Sequence, residues 1–410
     1  MNQKLLKKYA QLAVRSGVNL AQNQTLIVQA DIDTVSFTRL VSEEAYKAGA
    51  REVLVYYRDP FLDKLNYNYL SDEVLGEVHD WQVERHLDYL KAGACTMSII
   101  SPRAGVLKEC DPKKMAIRQK AFGEASKEVR EYTMASKTQW AIVAVPNEEW
   151  AKLMFPELEN EAAVERLWDE IMKCVYIDET NDPIAVWEQR DIQFQARIKK
   201  LNELNFKQLH FTNALGTDLH VGLLKNHIWG GGSDVSQSQI RFNANIPTEE
   251  VFTAPDRNNV NGIVYASRPL LHNGNLIKNF QFTFENGKVI DYDAKEGKSV
   301  LKELLEMDEG SKSLGEVALV PYDSAISQSQ LLFYTTLFDE NASCHLALGN
   351  AYPSTLKDGL TKNEEELKQL GFNISLIHVD FMFGTADMNV KGETQNGDWV
   401  SVFENGSFVI

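Results

Sequence analysis

The feature that most constrains the fold is an alternation of short apolar runs with amphipathic segments over residues 1–203. The apolar runs have the length of buried strands, while the segments between them repeat their apolar residues at helical spacing. Strands that alternate with helices are joined by right-handed crossovers, which build a mostly parallel sheet covered on both faces. We therefore predict that residues 1–203 form an α/β domain with a doubly wound parallel sheet.

The individual elements follow from the same patterns. Strands are predicted over 25–28, 52–57, 96–101 and 140–145, and helices over 5–14, 35–49, 72–91, 112–135, 158–175 and 183–203. No glycine-rich string of the GxGxxG or GxxxxGK[ST] type stands at a strand–helix junction. A nucleotide-binding domain would therefore lack its usual phosphate cradle.

The second half of the chain has a different character. From Phe206 it is rich in predicted strands, and four Asn-Gly pairs, at 273–274, 286–287, 396–397 and 405–406, indicate hairpin turns. Such pairs favour tight turns because both residues tolerate positive φ. One helix is predicted over 299–307. We predict that residues 204–410 form a mixed α+β domain that is rich in hairpins.

Charge and cysteine content limit the partners and the compartment. The chain has 58 acidic and 42 basic residues, and its formal net charge of −16 repels the phosphates of nucleic acids and anionic membranes. Its four cysteines form no CxxC pair, which argues against a disulfide scaffold and a thiolate zinc site. The N-terminus resembles no signal peptide, and every apolar run is far shorter than the ~20 residues of a membrane span. We expect a cytoplasmic protein without nucleic-acid or membrane partners.

The strongest chemical motif is the pair His378 and Asp380 within an apolar run at 374–383. On a strand, residues two apart point to the same face, so both metal-capable side chains would lie together. A buried aspartate is costly unless it is paired or coordinated. The same spacing suits a structural His–Asp hydrogen bond, and the motif alone leaves both interpretations open.

A polar segment at 339–346 adds Glu340 and His345 to the candidates. Carboxylate and imidazole together are typical ligands of divalent transition metals. The simpler alternative is that Asp339 or Asn341 caps a turn or the start of a helix.

Two further acidic positions lie beside apolar runs. Glu249 and Glu250 precede one such run, and in an extended chain one of them would point inward and the other to solvent. Glu316 opens the run at 317–320. Solvated glutamates at a sheet edge are the commoner alternative for all three.

Together the C-terminal half offers a candidate metal-binding set of Glu250, Glu316, Glu340, His345, His378 and Asp380. Such a set can hold two divalent ions about 3.5–4 Å apart, with one carboxylate bridging them. Two alternatives stay open at this point. One is a glycosidase that uses Glu250 and Glu316 as acid and nucleophile, and the other is a non-catalytic ligand-binding α/β protein.

Four strings resemble those of the aminopeptidase T family, at 245–256 (NIPTEEVFTAPD), 315–320 (GEVALV), 345–353 (HLALGNAYP) and 378–384 (HVDFMFG). These are cytoplasmic thermophilic metalloaminopeptidases of the PepS/AmpS type. The resemblance extends over the whole chain and is specific over 206–410. It implies an enzyme that hydrolyses the N-terminal residue from peptides with a water activated by two divalent ions.

The resemblance also implies a role for each candidate. Zinc or cobalt, with magnesium or manganese as further options, would be held at one position by Glu250, Glu316 and Glu340. The second position would use Glu316 as a bridge together with His345, His378 and Asp380. Tyr352 matches the active-site tyrosine, and Glu340 would act as a ligand or as the general base, so that the catalytic set is Tyr352, Glu316 and Glu340. A homodimer with active sites that face an interior cavity is also implied.

Overall fold

The structure is a computed structural model and describes residues 2–103, 105–107, 109–272 and 275–410. The chain forms two compact units. The first contains Met1–Gln189 and Ser233–Pro247, and the second contains Arg190–Gly232 and Thr248–Ile410.

The strands are, in chain order, β1 (Thr25–Asp31), β2 (Glu52–Arg58), β3 (Cys95–Ile100), β4 (Trp140–Ala144), β5 (Gln208–Thr212), β6 (Asp218–Leu223), β7 (Gly230–Gly231), β8 (Asp234–Val235), β9 (Arg241–Phe242), β10 (Val251–Thr253), β11 (Pro255–Tyr265), β12 (Leu270–His272), β13 (Asn275–Glu285), β14 (Lys288–Glu296), β15 (Leu314–Leu319), β16 (His345–Gly349), β17 (His378–Met382), β18 (Asn389–Glu393), β19 (Trp399–Glu404) and β20 (Ser407–Phe408). The helices are α1 (Gln3–Leu12), α2 (Val35–Lys47), α3 (Pro60–Tyr69), α4 (Asp72–Leu75), α5 (Trp81–Lys91), α6 (Pro112–Ala125), α7 (Lys127–Met134), α8 (Glu148–Met154), α9 (Asn160–Cys174), α10 (Pro183–Leu204), α11 (Lys298–Leu305), α12 (Ala325–Ser329), α13 (Thr336–Asp339) and α14 (Glu364–Gln369).

The first unit is built on a parallel sheet in the order β2-β1-β3-β4. Leu26, Ile27 and Val28 of the central strand β1 are fully buried, as expected for a strand that is covered on both faces. The strand order reverses between β1 and β3, which is typical of doubly wound sheets. The predicted fold class, a doubly wound α/β domain followed by a mixed α+β domain, is confirmed.

Several helices differ from the sequence-based prediction. The patterns do not predict α3 and α8, and the segments 72–91 and 112–135, predicted as continuous helices, are each divided in two. Gly76 ends α4, and its N–H bonds back to the carbonyl oxygen of Asp72 at 3.0 Å. Ser126 separates α6 from α7 and donates its hydroxyl to the carbonyl oxygen of Phe122 at 2.6 Å. Such local side-chain bonds compete with the regular helical ladder.

The second unit contains two antiparallel sheets. The nine-stranded sheet, as far as the chain is described, has the order β12-β13-β11-β6-β5-β18-β19-β20, with β14 beside β13. The five-stranded sheet has the order β17-β16-β15-β10-β7. Both sheets contribute to one apolar core, where Phe282 of β13 and Phe381 of β17 lie with ring centroids 5.1 Å apart. The sheets therefore pack face to face, and each keeps one face away from this core.

The predicted Asn-Gly turns are confirmed where the structure describes them. Asn286 and Gly287 join β13 to β14 with φ values of 49° and 79°, and Asn405 and Gly406 join β19 to β20 with 50° and 74°. The pair at 396–397 lies in the connection from β18 to β19. The pair at 273–274 lies outside the described residues. The helix predicted over 299–307 is α11.

All four cysteines lie in described segments, are buried, and form no disulfide. Burial raises the pKa of Cys95 to about 12, which keeps this thiol protonated.

Within the described ranges, no helix combines the length and the apolarity needed to cross a membrane.

Candidate metal centre

The candidate ligands lie on the face of the five-stranded sheet that points away from the core. The core face carries apolar residues from β10, β15, β16 and β17, among them Val251, Val317, Leu346 and Phe381. Successive side chains on a strand alternate between the two faces. The residues that directly precede Val317, Leu346 and Phe381 therefore point away from the core, and they are Glu316, His345 and Asp380. Glu250 lies just before β10, and its Oε2 lies 2.9 Å from Nε2 of His345.

A β-bulge at Gly315 sets the direction of Glu316. Leu314 pairs with Leu348 while Glu316 pairs with Ala347, so β15 carries one extra residue at this point. In a regular strand Leu314 and Glu316 would share a face. The bulge lets Leu314 enter the core while Glu316 points to the opposite side.

One alanine lies between polar side chains on this face. Ala347 of β16 pairs with Glu316 on one side and with Asp380 on the other. Ala318 of β15 pairs with His345 on one side and with Phe252 on the other. A methyl group is small, so Ala347 does not fill the space between Glu316 and Asp380.

His345 faces two carboxylates. Its Nε2 lies 2.9 Å from Glu250 Oε2 and 3.5 Å from Glu316 Oε1. One donor atom from each of these three residues lies within 4.8 Å of the others. The other ring nitrogen, Nδ1, lies 3.2 Å from the carbonyl oxygen of Ser343. A proton on Nδ1 that bonds to this carbonyl leaves the Nε2 lone pair available to a metal ion.

His378 forms a second group with Asp380. Its Nε2 lies 3.3 Å from Asp380 Oδ1 and 3.7 Å from Glu316 Oε2, while its Nδ1 lies 2.7 Å from the carbonyl oxygen of Asn350. Glu316 therefore faces a different histidine with each of its two carboxylate oxygens. This is the arrangement of a carboxylate that can bridge two neighbouring metal positions.

The donor set fits a divalent cation. Glu250 Oε2 and Asp380 Oδ1 are buried, and the polar atoms that face them are Nε2 of His345 at 2.9 Å and Nε2 of His378 at 3.3 Å. Burying charged oxygens is costly unless a cation or a donor compensates them. Carboxylate oxygens and imidazole nitrogens are the ligands that zinc and related divalent ions take in proteins. A metal ion held between these oxygens and nitrogens would compensate the buried charge.

The pKa shifts within the cluster also favour bound cations. Burial favours the neutral ring of His378, but Asp380 and Glu316 outweigh it and raise the pKa of His378 to about 10. Burial, together with the charges of Glu250 and Asp380, raises the pKa of Glu340 well above its ordinary value. Both shifts reflect a surplus of negative charge in a space that excludes water. Bound cations offset this surplus.

Glu340, like Glu250, lies outside the strands. It begins a short 3₁₀ turn, Glu340–Ala342, which precedes β16. Its Oε1 lies 3.4 Å from Nδ2 of Asn341, whose side chain is fully buried. The negative charges of Glu250 and Asp380 act on its carboxyl group. Asp339 does not cap the turn that follows it; its carboxylate instead accepts the N–H groups of Phe333 and Thr335 in the preceding loop at 2.7 and 3.0 Å.

The expectation that either Glu249 or Glu250 points to solvent is wrong. Only 4% of the Glu249 side chain is exposed, and its Oε2 lies 2.7 Å from Arg190 Nη2. Glu250 is buried as well. The expectation assumed extended chain at both positions, whereas the strand begins only at Val251. Arg190 compensates the charge of Glu249, which leaves Glu250 to the candidate metal centre.

Tyr352 lies beside His378. The two rings meet edge to face with centroids 5.0 Å apart, and Phe252 packs against the other side of the tyrosine at 6.1 Å. Burial and the negative charges of Glu316 and Asp380 raise the pKa of Tyr352 well above its ordinary value. Its phenol therefore stays protonated and able to donate a hydrogen bond.

The structure adds supporting residues that the sequence motifs did not identify. Asn341 binds the backbone N–H of Glu249, Asn350 orients His378 through its carbonyl oxygen, and Arg190 neutralises Glu249. Asn341 and Asn350 stand inside the polar strings that carry the candidate ligands. Arg190 lies 59 residues before its partner, and no local pattern indicates that pairing.

Comparison with known proteins agrees with this site. The family described as thermophilic metalloprotease (M29) matches residues 2–408. Aminopeptidase AmpS of Bacillus subtilis (strain 168) is 43% identical over 403 residues, covering 98% of each chain. Aminopeptidase 2 of Geobacillus stearothermophilus is 41% identical over 406 residues, which is 99% of this chain and 98% of that one. The structure of wild-type AmpT from Thermus thermophilus superposes with a TM-score of 0.93 at 38% identity and covers 100% of both chains.

The family alignment covers both units and leaves out only residues at the two termini. The family is one of metalloproteases, in agreement with a donor set that can hold a divalent cation. The chain belongs to the M29 family of thermophilic metalloproteases and is a metalloaminopeptidase, a hydrolase of the exopeptidase class.

Proposed function

We propose that this metalloaminopeptidase removes the N-terminal residue from peptides with two divalent ions, zinc or cobalt. The ligands are Glu250, Glu316, Glu340, His345, His378 and Asp380. The observation that carries the proposal is the position of Glu316, whose two oxygens face His345 and His378 separately. A single metal ion would not need one carboxylate directed at two histidines.

The distances support a division of the ligands around Glu316. Glu250 and His345 lie on one side of the bridging carboxylate, at 2.9 Å from each other. His378 and Asp380 lie on the other side, at 3.3 Å. This differs from the division implied by the sequence resemblance, which placed both histidines at one position. Glu340 completes the set as a ligand or as the group that moves protons.

Bound divalent ions would polarise the scissile carbonyl and lower the pKa of a water molecule to near neutrality. The chain's own residues supply the remaining steps. The protonated phenol of Tyr352 donates a hydrogen bond to the carbonyl oxygen as negative charge develops on it. Glu340 accepts the proton that the attacking water molecule releases and delivers it to the leaving amine. Nδ1 bonds to backbone carbonyls hold the rings of His345 and His378 in place.

The substitution Glu316→Gln tests the proposal, with Glu303→Gln as its control. Glutamine keeps the shape of the side chain but cannot bridge two cations, while Glu303 is exposed on α11. Wild-type protein should contain about two transition ions per chain by elemental analysis and should hydrolyse aminoacyl-nitroanilides. A chelator should abolish hydrolysis, and zinc or cobalt should restore it. Glu316→Gln should lose both bound metal and hydrolysis with an unchanged circular dichroism spectrum, and Glu303→Gln should lose neither.

Two outcomes would contradict the proposal. One is hydrolysis at the full rate by metal-free protein, and the other is full activity of Glu316→Gln. A single ion per chain in fully active protein would reject the two-ion arrangement alone. We also propose, from the family resemblance, that the enzyme is a cytoplasmic homodimer, and sedimentation at equilibrium tests the dimer.

A further inference from the structure

A second group of metal-capable side chains lies on the nine-stranded sheet. His210 of β5 stands directly opposite His220 of β6 in the antiparallel register. Asp218 precedes His220 by two residues on β6 and therefore points to the same face. One donor atom from each of these three residues lies within 4.8 Å of the others. The candidate metal centre described above uses the five-stranded sheet and none of these residues.

The sheet fixes the face and the spacing of this group. Phe211 and Leu219, which follow His210 and Asp218, are buried in the core, so the polar group points away from it. Both strands have partners on each side, because β5 also pairs with β18 and β6 also pairs with β11. Donor atoms placed by interior strands of a sheet are held more firmly than donor atoms placed by loops.

The three side chains already associate with one another. His210 Nε2 lies 2.7 Å from Asp218 Oδ1, and the rings of His210 and His220 stack with centroids 4.0 Å apart and planes 8° from parallel. Trp399 meets both rings nearly edge-on at 6.1 Å. Asp218 and Glu393 place negative charge beside His220.

We propose that His210, Asp218 and His220 bind one divalent transition-metal ion of the zinc type, separately from the catalytic centre. Two imidazole nitrogens and one carboxylate oxygen form a three-ligand set that zinc completes with a water molecule. Ligand bonds of about 2.0–2.2 Å place tetrahedral donor atoms about 3.5 Å apart, so His210 Nε2 and Asp218 Oδ1, now 2.7 Å apart, must separate when the ion binds. Asp218 allows this movement, since 69% of its side chain is exposed. One of the two stacked rings must also rotate, because parallel rings do not direct their lone pairs at one ion.

The test counts ions and does not depend on peptidase activity. Zinc is titrated into the metal-loaded enzyme, and the zinc retained per chain is measured after equilibrium dialysis. Wild-type protein should retain one ion more than His220→Asn, and Asp218→Asn should weaken this binding by roughly 10-fold or more. Excess zinc should raise the Tm of wild-type protein and not that of His220→Asn. Both variants should hydrolyse aminoacyl-nitroanilides at the wild-type rate.

His79→Asn is the matched control. His79 also stacks on a tryptophan, Trp81, at 6.4 Å and lies 3.8 Å from the carboxylate of Glu77, but no second histidine stacks on it in the described part of the chain. This variant should retain as much zinc as wild-type protein.

The Glu316→Gln variant separates this site from the catalytic one, because it should lose the catalytic ions and still bind the ion at His210 and His220. Equal zinc retention by wild-type protein, His220→Asn and Asp218→Asn would show that the stacked pair is structural and would overturn the proposal. Asp218→Asn preserves the size of the side chain and decides the question even if His220→Asn folds poorly.

Discussion

The side chain of Asn341 accepts a hydrogen bond from the backbone N–H of Glu249 at 2.7 Å. The same amide donates to the carbonyl oxygen of Leu337 at 3.0 Å and is fully buried. Glu250 follows Glu249 in the chain, and Glu340 precedes Asn341. One side chain therefore connects the two chain segments that carry these candidate ligands.

We expect Asn341→Leu to weaken metal binding by about 10–100-fold, as is typical when a group that orients a metal ligand is removed. Leucine has a similar volume but neither accepts the N–H of Glu249 nor donates to Leu337. Competition with a chromogenic chelator measures the affinity. Asn261→Leu is the control, because Asn261 likewise accepts a backbone N–H, from Asn286 at 2.8 Å, on the nine-stranded sheet. Wild-type affinity in Asn341→Leu would contradict this role.

Removal of one phenol oxygen tests the role of Tyr352. Tyr352→Phe keeps the ring against His378 and Phe252 but removes the donor that would stabilise the developing oxyanion. We expect kcat to fall by about 10²–10³-fold, the usual loss for one such donor, with a much smaller change in KM. Steady-state kinetics on an aminoacyl-nitroanilide separates the two constants. Tyr69→Phe, at a tyrosine that is 82% exposed, should change neither. A rise in KM at constant kcat would instead make Tyr352 a substrate-binding residue.

A pH dependence of stability is expected from Asp308. Partial burial raises the pKa of its carboxyl group, but this effect is outweighed by hydrogen bonds from the backbone N–H of Leu376 and from Ser375 and Ser311, so the pKa lies below its ordinary value. A lowered folded-state pKa stabilises the protein above the unfolded-state pKa of about 3.9. The stabilisation is lost as the pH falls through the folded-state pKa.

Denaturant unfolding of Asp308→Asn at several pH values checks this expectation. Wild-type protein should have the larger free energy of unfolding at pH 7, and the difference should shrink as the pH falls below about 4. Asp291→Asn, at an exposed position on β14, should show no such change. A difference that grows toward acidic pH would mean that the sign of the shift is wrong.

Much of the site could be anticipated from residue spacing. His378 and Asp380 lie on one face of β17, as the two-residue spacing predicts, and Val379 between them packs against the core. The spacing could not separate a metal site from a structural pair. That distinction required distances to Glu316, which lies on another strand 62 residues earlier in the sequence.

Other features of the structure cannot be predicted from local sequence patterns. The pairing of Glu249 with Arg190 joins residues 59 positions apart, and charge pattern alone gives no reason to select that arginine. The break between α4 and α5 depends on turn geometry around Gly76, where helical periodicity alone predicts one helix. The bulge in β15 depends on how Leu314 and Glu316 align with β16, and sequence alternation cannot reveal such a register shift.

Gly315 has a consequence for how relatives of this enzyme are recognised. A Cβ at this position would lie 2.3 Å from the carbonyl oxygen of Gly349 and 2.5 Å from that of Asn350, and the latter carbonyl orients His378. Replacing Gly315 would therefore displace the support of His378 and disturb Glu316 next to it. A homologue with alanine here would keep every metal ligand and pass a search that checks ligand identity alone. In this family, a homologue should be expected to be active only if it has glycine at the position of Gly315 as well as the residues that bind metal.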